Sequence, residues 1–376
     1  MMRHTAARCS AAVLCTDYPH ARLITLNKPK SLNALDYDMT QELHRLYVTA
    51  PAPLSSLYIL TGAGTKAFCA GGDVIGLTTN TPPGCGRDFF YEEYQVDYKT
   101  SILPAGQVCL WDGYVLGGGV GVSVGGTYRV ASEKACLAMP EVAIGMFPDV
   151  GASWFLPRLS VPGLGLYMGL TGHRLRGADL VHLGLATHFV PSAKMDDLKH
   201  ALVSMSKAGD VEAALEKYAT PTAQLPPCTI AHSFPSLAQY FDITEDLTIL
   251  SILDACKTHA HTDPLIKAAA DLMPTFSPTA MTLTLEMLKR GAKLSTPVEA
   301  FKMEYCVSQR VIAAHDFREG VRALLIDKEK GPKWQPATFA EVTAEAIDAY
   351  FRPTTPDQLV WDPVAPLPER ALCDLT

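Results

Sequence analysis

The sequence predicts an α/β protein whose second half is mainly helical. Three observations carry this. Short apolar runs of strand character alternate with runs of helical spacing up to about residue 194. Beyond Lys194 few strand-like runs remain, and long helical patterns take over. Two glycine clusters, 68–73 and 117–121, each follow a short apolar run and open a helix, as strand-to-helix passages do.

The elements follow in order. Residues 13–15 and 22–26 read as a hairpin across Asp17-Tyr18-Pro19-His20, and Asn27-Lys28-Pro29 stops the second strand. Apolar residues at 39, 43, 46 and 47 have helical spacing. Residues 57–60 form an apolar strand, 78–86 a loop, and 88–100 a polar, aromatic helix. Gln107–Trp111 and Tyr128–Ala131 are strands, separated by the glycine-rich start of a helix at 117–125. Further on, 197–217, 236–256, 277–291, 297–325 and 339–351 have helical patterns. The expected organisation is a presequence-like segment at 1–12, an α/β core at 13–195 and a mainly helical region at 196–376.

Composition excludes several classes. Of 376 residues, 48% are hydrophobic and 19% charged, which supports a large core and rules out wholesale disorder. The net charge of −7 gives no general basic field for nucleic acid. No apolar run approaches the ~18 residues that span a bilayer, so no membrane partner is expected. The ten cysteines show no CxxC spacing, and several sit in apolar runs, which fits a reducing compartment without a disulfide scaffold. Among eleven histidines there is no HExxH, and only His259 and His261 lie close together, so no metal is expected. The first sixteen residues carry Arg3, His4 and Arg8 but no acid, a mitochondrial presequence composition; a frayed terminus has the same look.

The glycine clusters are Phe68-Cys69-Ala70-Gly71-Gly72-Asp73 and Gly117-Gly118-Gly119-Val120-Gly121. Glycine admits a ligand close to the backbone, and the first N–H groups of a helix have no intrahelical acceptor. One donor from each cluster, converging on a point, makes an oxyanion hole; tight packing turns would need the same glycines. Neither cluster fits GxGxxG or GxxxxGK[ST]. Residues 121–125 match GxSxG, but four glycines precede Ser123 and place it inside the helix rather than at a nucleophile elbow. Taken from local pattern alone, Glu141 is a helix-start acid, Asp149 an N-cap and Glu93 part of a solvated face.

With Ala138-Met139-Pro140-Glu141 and the run from Gly145 to Gly151, these clusters resemble the crotonase (enoyl-CoA hydratase/isomerase) superfamily, in its 3-hydroxyisobutyryl-CoA hydrolase branch. The motifs are FCAGGD, GYVLGGGVGVSV, AMPEVAIGMFPDVGASWFLPRL, LTGHRLRGADLVHLGLATHFV and DFREGVRALLIDKEKGPKW. The resemblance runs from about residue 23 to 336 and is loose over 195–275.

The resemblance implies a spiral of ββα units closed by helices, and hydrolysis of an acyl-CoA thioester in valine breakdown. Coenzyme A is then part of the substrate, and no separate cofactor is needed. The oxyanion donors fall on the N–H groups of Gly72 and Gly118, with Gly71 beside them in the substrate site. The catalytic carboxylate falls on Glu141, acting as general base or as nucleophile. A second acid falls on Asp149, and Glu93 is placed to read a 3-hydroxyl group. Hydratases of the superfamily carry a second glutamate shortly after the glycine triplet; Gly121 stands there instead, which removes a two-carboxylate water clamp. Lys66, Arg87, Arg174 and Arg176 are candidates for the CoA phosphates. The presequence-like composition points to a mitochondrial location, and the resemblance leaves the oligomeric state open, a homo-oligomer among the alternatives. The resemblance brings two other readings with it: hydration or isomerisation on the same scaffold, and a structural place in the mitochondrial ribosomal small subunit.

Overall fold

The alternating apolar runs of the first 190 residues become two sheets. The structure is a computed structural model that describes residues 11–79, 85–206, 210–329 and 331–352. The presequence-like residues 1–10, part of the 78–86 loop and the tail from 353 lie outside the described residues.

In chain order the strands are β1 (Val13–Asp17), β2 (Ala21–Leu26), β3 (Leu57–Gly62), β4 (Ala67–Cys69), β5 (Gln107–Trp111), β6 (Tyr114–Leu116), β7 (Tyr128–Ala131), β8 (Cys136–Ala138), β9 (Leu175–Arg176) and β10 (His188–Phe189). The helices are α1 (Tyr37–His44), α2 (Val74–Thr79), α3 (Cys85–Ser101), α4 (Gly118–Val124), α5 (Ala152–Phe155), α6 (Leu164–Thr171), α7 (Ala178–His182), α8 (Ser192–Val203), α9 (Val211–Tyr218) and α10 (Phe234–Phe241). They continue as α11 (Ile249–His259), α12 (Pro264–Leu272), α13 (Pro278–Ala292), α14 (Pro297–Val311), α15 (His315–Val321) and α16 (Ala344–Phe351). Two compact units interleave along the chain: one takes Met1–Gly72, Gln95–Leu137 and Leu175–Cys228, the other Asp73–Tyr94, Ala138–Arg174 and Thr229–Thr376.

In the first unit a six-stranded sheet runs β1-β2-β3-β5-β7-β10, and a four-stranded sheet runs β4-β6-β8-β9. From β3 to β8 the chain alternates between the two sheets, strand by strand. The β1–β2 hairpin is antiparallel, from Val13↔Leu26 to Asp17↔Arg22, and the Arg22 guanidinium clasps Asp17 at 2.7 Å. The other pairs of the large sheet are parallel. Such strands are covered on both faces. Accordingly Leu57, Tyr58, Ile59 and Leu60 of β3 and all five residues of β5 are buried. On one face, Met195, Leu198 and Leu202 of α8 and Val211 and Leu215 of α9 join Leu57, Ile59, Val108, Leu110 and Val130 in one apolar cluster. Each leucine buried there is worth ~1.5–3 kcal/mol.

The second unit is built mostly from helices, and their caps are written in the sequence. Thr296 and Glu299 form a capping box before Pro297 opens α14. The expected helix over 236–256 is two helices: the run from Asp242 interrupts it, and Thr248 caps α11 through a reciprocal pair with Ser251. The expected 197–217 helix likewise divides into α8 and α9. The 297–325 helix divides at Ala314, whose backbone is extended. Helix α12 was missed, although Asp263 as N-cap and Pro264 at the first turn announce it. Among the described residues no helix is long and apolar enough to cross a membrane.

Candidate active site

The glycine tracts of the first unit approach each other closely. Gly71 has φ +99°, a conformation open to glycine and strained for side chains. A Cβ built on it would lie 3.2 Å from the Leu116 carbonyl oxygen and 3.7 Å from the Gly118 nitrogen. A Cβ on Gly119 would lie 2.5 Å from the Cys69 carbonyl oxygen. The FCAGGD and GGGVG segments are therefore packed backbone against backbone, and any side chain would force them apart. Gly118 is the first residue of α4, so its N–H has no intrahelical acceptor. Among the described residues, no carbonyl accepts from the Gly72 or Gly118 N–H. Ser123 lies inside α4, where its hydroxyl donates to the Gly119 carbonyl (2.6 Å) and accepts from the Trp111 indole (3.0 Å). It is fully buried and serves packing, not nucleophilic attack.

The acids lie in the second unit. Glu141 opens a 3-10 turn, Glu141–Ile144, directly after Pro140. Its side chain is 8% exposed, and its Oε2 has no hydrogen-bond partner. Burial, then the charge of Asp149, holds its pKa well above the ordinary glutamate range. Asp149 is 5% exposed. It does not cap α5, whose N-cap is Gly151; instead its Oδ2 accepts from the Tyr94 hydroxyl at 2.7 Å. Burial pushes Asp149 up to about 6, while the Tyr94 hydrogen bond pulls the other way. Glu93 is 2% exposed, so the solvated-face reading fails, and its Oε1 is also without a partner. Burial, then the charges of Asp149 and Glu141, raises it well above the usual range.

Three carboxyl groups in mutual charge range, poorly hydrated and pushed upward together, cannot all ionise. Their titration belongs to the group rather than to any one of them. Buried carboxyl oxygens left without a partner are costly to a fold and common at sites of chemistry. Sequence reading missed two members of this arrangement. Tyr94 sits one residue after Glu93 in an aromatic run, with nothing local to distinguish its hydroxyl. Glu304, on α14, accepts from the Gly151 and Ser153 N–H groups at 2.7 and 2.9 Å. Of the cationic candidates, Arg87 is paired with Asp88 at 2.5 Å, and Lys66, Arg174 and Arg176 are exposed.

A sequence model of the enoyl-CoA hydratase/isomerase family matches residues 21–351. The curated 3-hydroxyisobutyryl-CoA hydrolase, mitochondrial, of Xenopus laevis is 40% identical over 358 residues, covering 93% of this chain and 91% of that protein. The human protein of the same name is 38% identical over 359 residues, covering 94% and 91%. A crystal structure of a carnitinyl-CoA dehydratase from Mycobacterium thermoresistibile superposes with a TM-score of 0.81 at 36% identity, covering 92% of this chain and 97% of that one. The resemblance carried by the FCAGGD, GGGVG and MPEVAIGMFPDVG motifs is thereby borne out, as is the α/β fold with its helical C-terminal region. The chain belongs to the enoyl-CoA hydratase/isomerase family.

Proposed function

We propose that the chain hydrolyses the thioester of a 3-hydroxyacyl-CoA, with 3-hydroxyisobutyryl-CoA as the preferred substrate, in mitochondria. The observation that carries the reading is Glu141: a buried carboxylate with a partnerless oxygen, in charge range of two further acids. The curated relatives are hydrolases by name, whereas the solved relative is a dehydratase. Gly121 favours hydrolysis. Hydration across a double bond needs one group to deliver water and another to move a proton, and α4 offers no carboxylate at its start. Hydrolysis asks only for attack at a carbonyl carbon and a proton for the departing sulfur.

In the proposed reaction the Gly72 and Gly118 N–H groups stabilise the oxyanion that forms from the thioester carbonyl, each worth ~10²–10³ in rate. Ionised Glu141 takes a proton from water as that water attacks, or attacks the carbonyl itself and gives a mixed anhydride that water then opens. Asp149 gives a proton to the departing sulfur and regains one from the attacking water, so that water and thioester yield carboxylic acid and free CoA thiol. Glu93 accepts from the 3-hydroxyl of the substrate. The chemistry requires no metal and no cofactor beyond the CoA of the substrate.

Glu141→Gln keeps the shape and removes the base. It should lower thiol release by ~10³ or more while acyl-CoA binding stays within about threefold. Turnover comparable with wild type refutes the assignment. A single turnover in ¹⁸O-water separates the two routes, because only the anhydride route leaves label in the Glu141 carboxyl group.

A further inference from the structure

The turn that carries Asp149 is not one its own sequence would choose. The Asp149 carbonyl accepts from the Ala152 N–H at 2.9 Å, which closes a β-turn over Asp149–Ala152. Both central residues have positive φ, +54° at Val150 and +87° at Gly151, the pattern of a type I′ turn. Glycine suits the second position. Valine, β-branched, is among the worst residues for the first, and strain of this kind persists only where the surroundings over-determine it.

Those surroundings are one side chain from far along the chain. Glu304 is fully buried on α14. Its Oε2 accepts from the Gly151 N–H at 2.7 Å, and its Oε1 accepts from the Ser153 N–H at 2.9 Å and the Ser153 hydroxyl at 2.5 Å. All three donors belong to the strained turn or the residue just beyond it. Burial pushes Glu304 up to about 8 against the pull of these donors, and the charge of Asp149 adds to the push. A purely architectural contact would be made more cheaply by apolar packing than by a second buried acid beside Asp149.

We infer that Glu304 is a positioning residue: its carboxylate pins the Val150–Ser153 segment in its left-handed turn and so fixes the Asp149 side chain against the Tyr94 hydroxyl. This rests on the proposed part of Asp149 in thioester hydrolysis. The helical C-terminal region then does more than close the fold, because it supplies the clamp that sets the geometry of an acid about 150 residues earlier.

The experiment uses the full chain and measures kcat and KM for thiol release from 3-hydroxyisobutyryl-CoA, with Tm, for Glu304→Gln, Ser153→Ala, Asp149→Asn and the Asp149→Asn/Glu304→Gln double variant. Glu304→Gln is isosteric but turns an amide donor toward backbone donors. It should lower kcat by about 100-fold with KM within about threefold, the effect of a displaced reacting group. Ser153→Ala, which keeps both backbone bonds, should lower kcat by about fivefold. The double variant should be no slower than the slower single variant, because the two residues act as one unit. The inference is overturned if Glu304→Gln changes Tm alone, or if the two losses multiply. Should Glu304→Gln fail to fold, wild-type kcat in Ser153→Ala overturns it. If Asp149→Asn itself turns over at the wild-type rate, the proposed site has failed. If Asp149→Asn is slow while Glu304→Gln is not, the clamp alone has failed.

Discussion

The glycine tracts of the first unit and the acids of the second are built by opposite means. Gly71 and Gly119 act by what they lack: with no Cβ, two stretches of backbone close to van der Waals contact, and among the described residues no carbonyl takes the Gly72 or Gly118 N–H. Backbone bonds hold the two stretches, such as the one from the Leu35 N–H to the Gly71 carbonyl at 2.8 Å. Glu93, Glu141 and Asp149 act by what they carry, and the fold bears a cost for it. They are buried, the charge of Asp149 raises the pKa of Glu93 and Glu141, and Asp149 sits on a turn strained at Val150 and held by a fourth buried acid. A backbone device is a local matter of residue size. A side-chain device of this kind depends on residues scattered across the sequence.

The largest effect is expected at Gly119. Gly119→Ala places a methyl group 2.5 Å from the Cys69 carbonyl oxygen, so the two tracts must part. If their approach sets the oxyanion donors, kcat should fall by about 10²–10³ in whatever fraction stays folded, with little change in the pH profile. A near-normal kcat would mean the close approach serves packing only.

On the acid side, Glu93→Ala should cost 3-hydroxyacyl-CoA substrates about tenfold more in kcat/KM than unsubstituted acyl-CoA, because a site built to bond a hydroxyl loses its means of discrimination. Equal losses on both substrates remove the hydroxyl-reading role. Tyr94→Phe takes one hydrogen bond from Asp149 and should lower kcat about tenfold. That bond lowers the Asp149 pKa, so its loss raises it, and the basic limb of the kcat profile, which a proton donor sets, should move to higher pH. A limb that stays in place separates Tyr94 from the reaction.

The smallest effect is one of pH. Glu141 must be ionised in either route, and its pKa lies well above the ordinary value of 4.5. Activity should therefore fall as pH drops, and at a higher pH than an ordinary glutamate would set. A kcat/KM profile flat down to about pH 5 would show that burial does not tune the group. The glycine variants should share the wild-type limb, because backbone amides do not titrate.

This contrast also explains what could be read in advance. The strands at Gln107–Trp111 and Tyr128–Ala131 were legible because buried parallel strands are short, apolar and bounded by turns. The glycine motifs were legible because nothing but glycine serves there. Glu141 and Asp149 stood out by the prolines and glycines around them and by resemblance, while their burial and coupling had no local signature. Tyr94 and Glu304 were invisible for one reason: each matters through a partner 55 or about 150 residues away, and no periodicity records such a contact. The two-residue strands β9 and β10 escaped because they carry too little apolar pattern to be seen.

The most direct test of thioester hydrolysis is a product assay on the purified chain with 3-hydroxyisobutyryl-CoA and crotonyl-CoA side by side. The account predicts free CoA thiol and 3-hydroxyisobutyrate from the first substrate, and no hydrated product from the second. Hydration of crotonyl-CoA without thiol release from either substrate would contradict it.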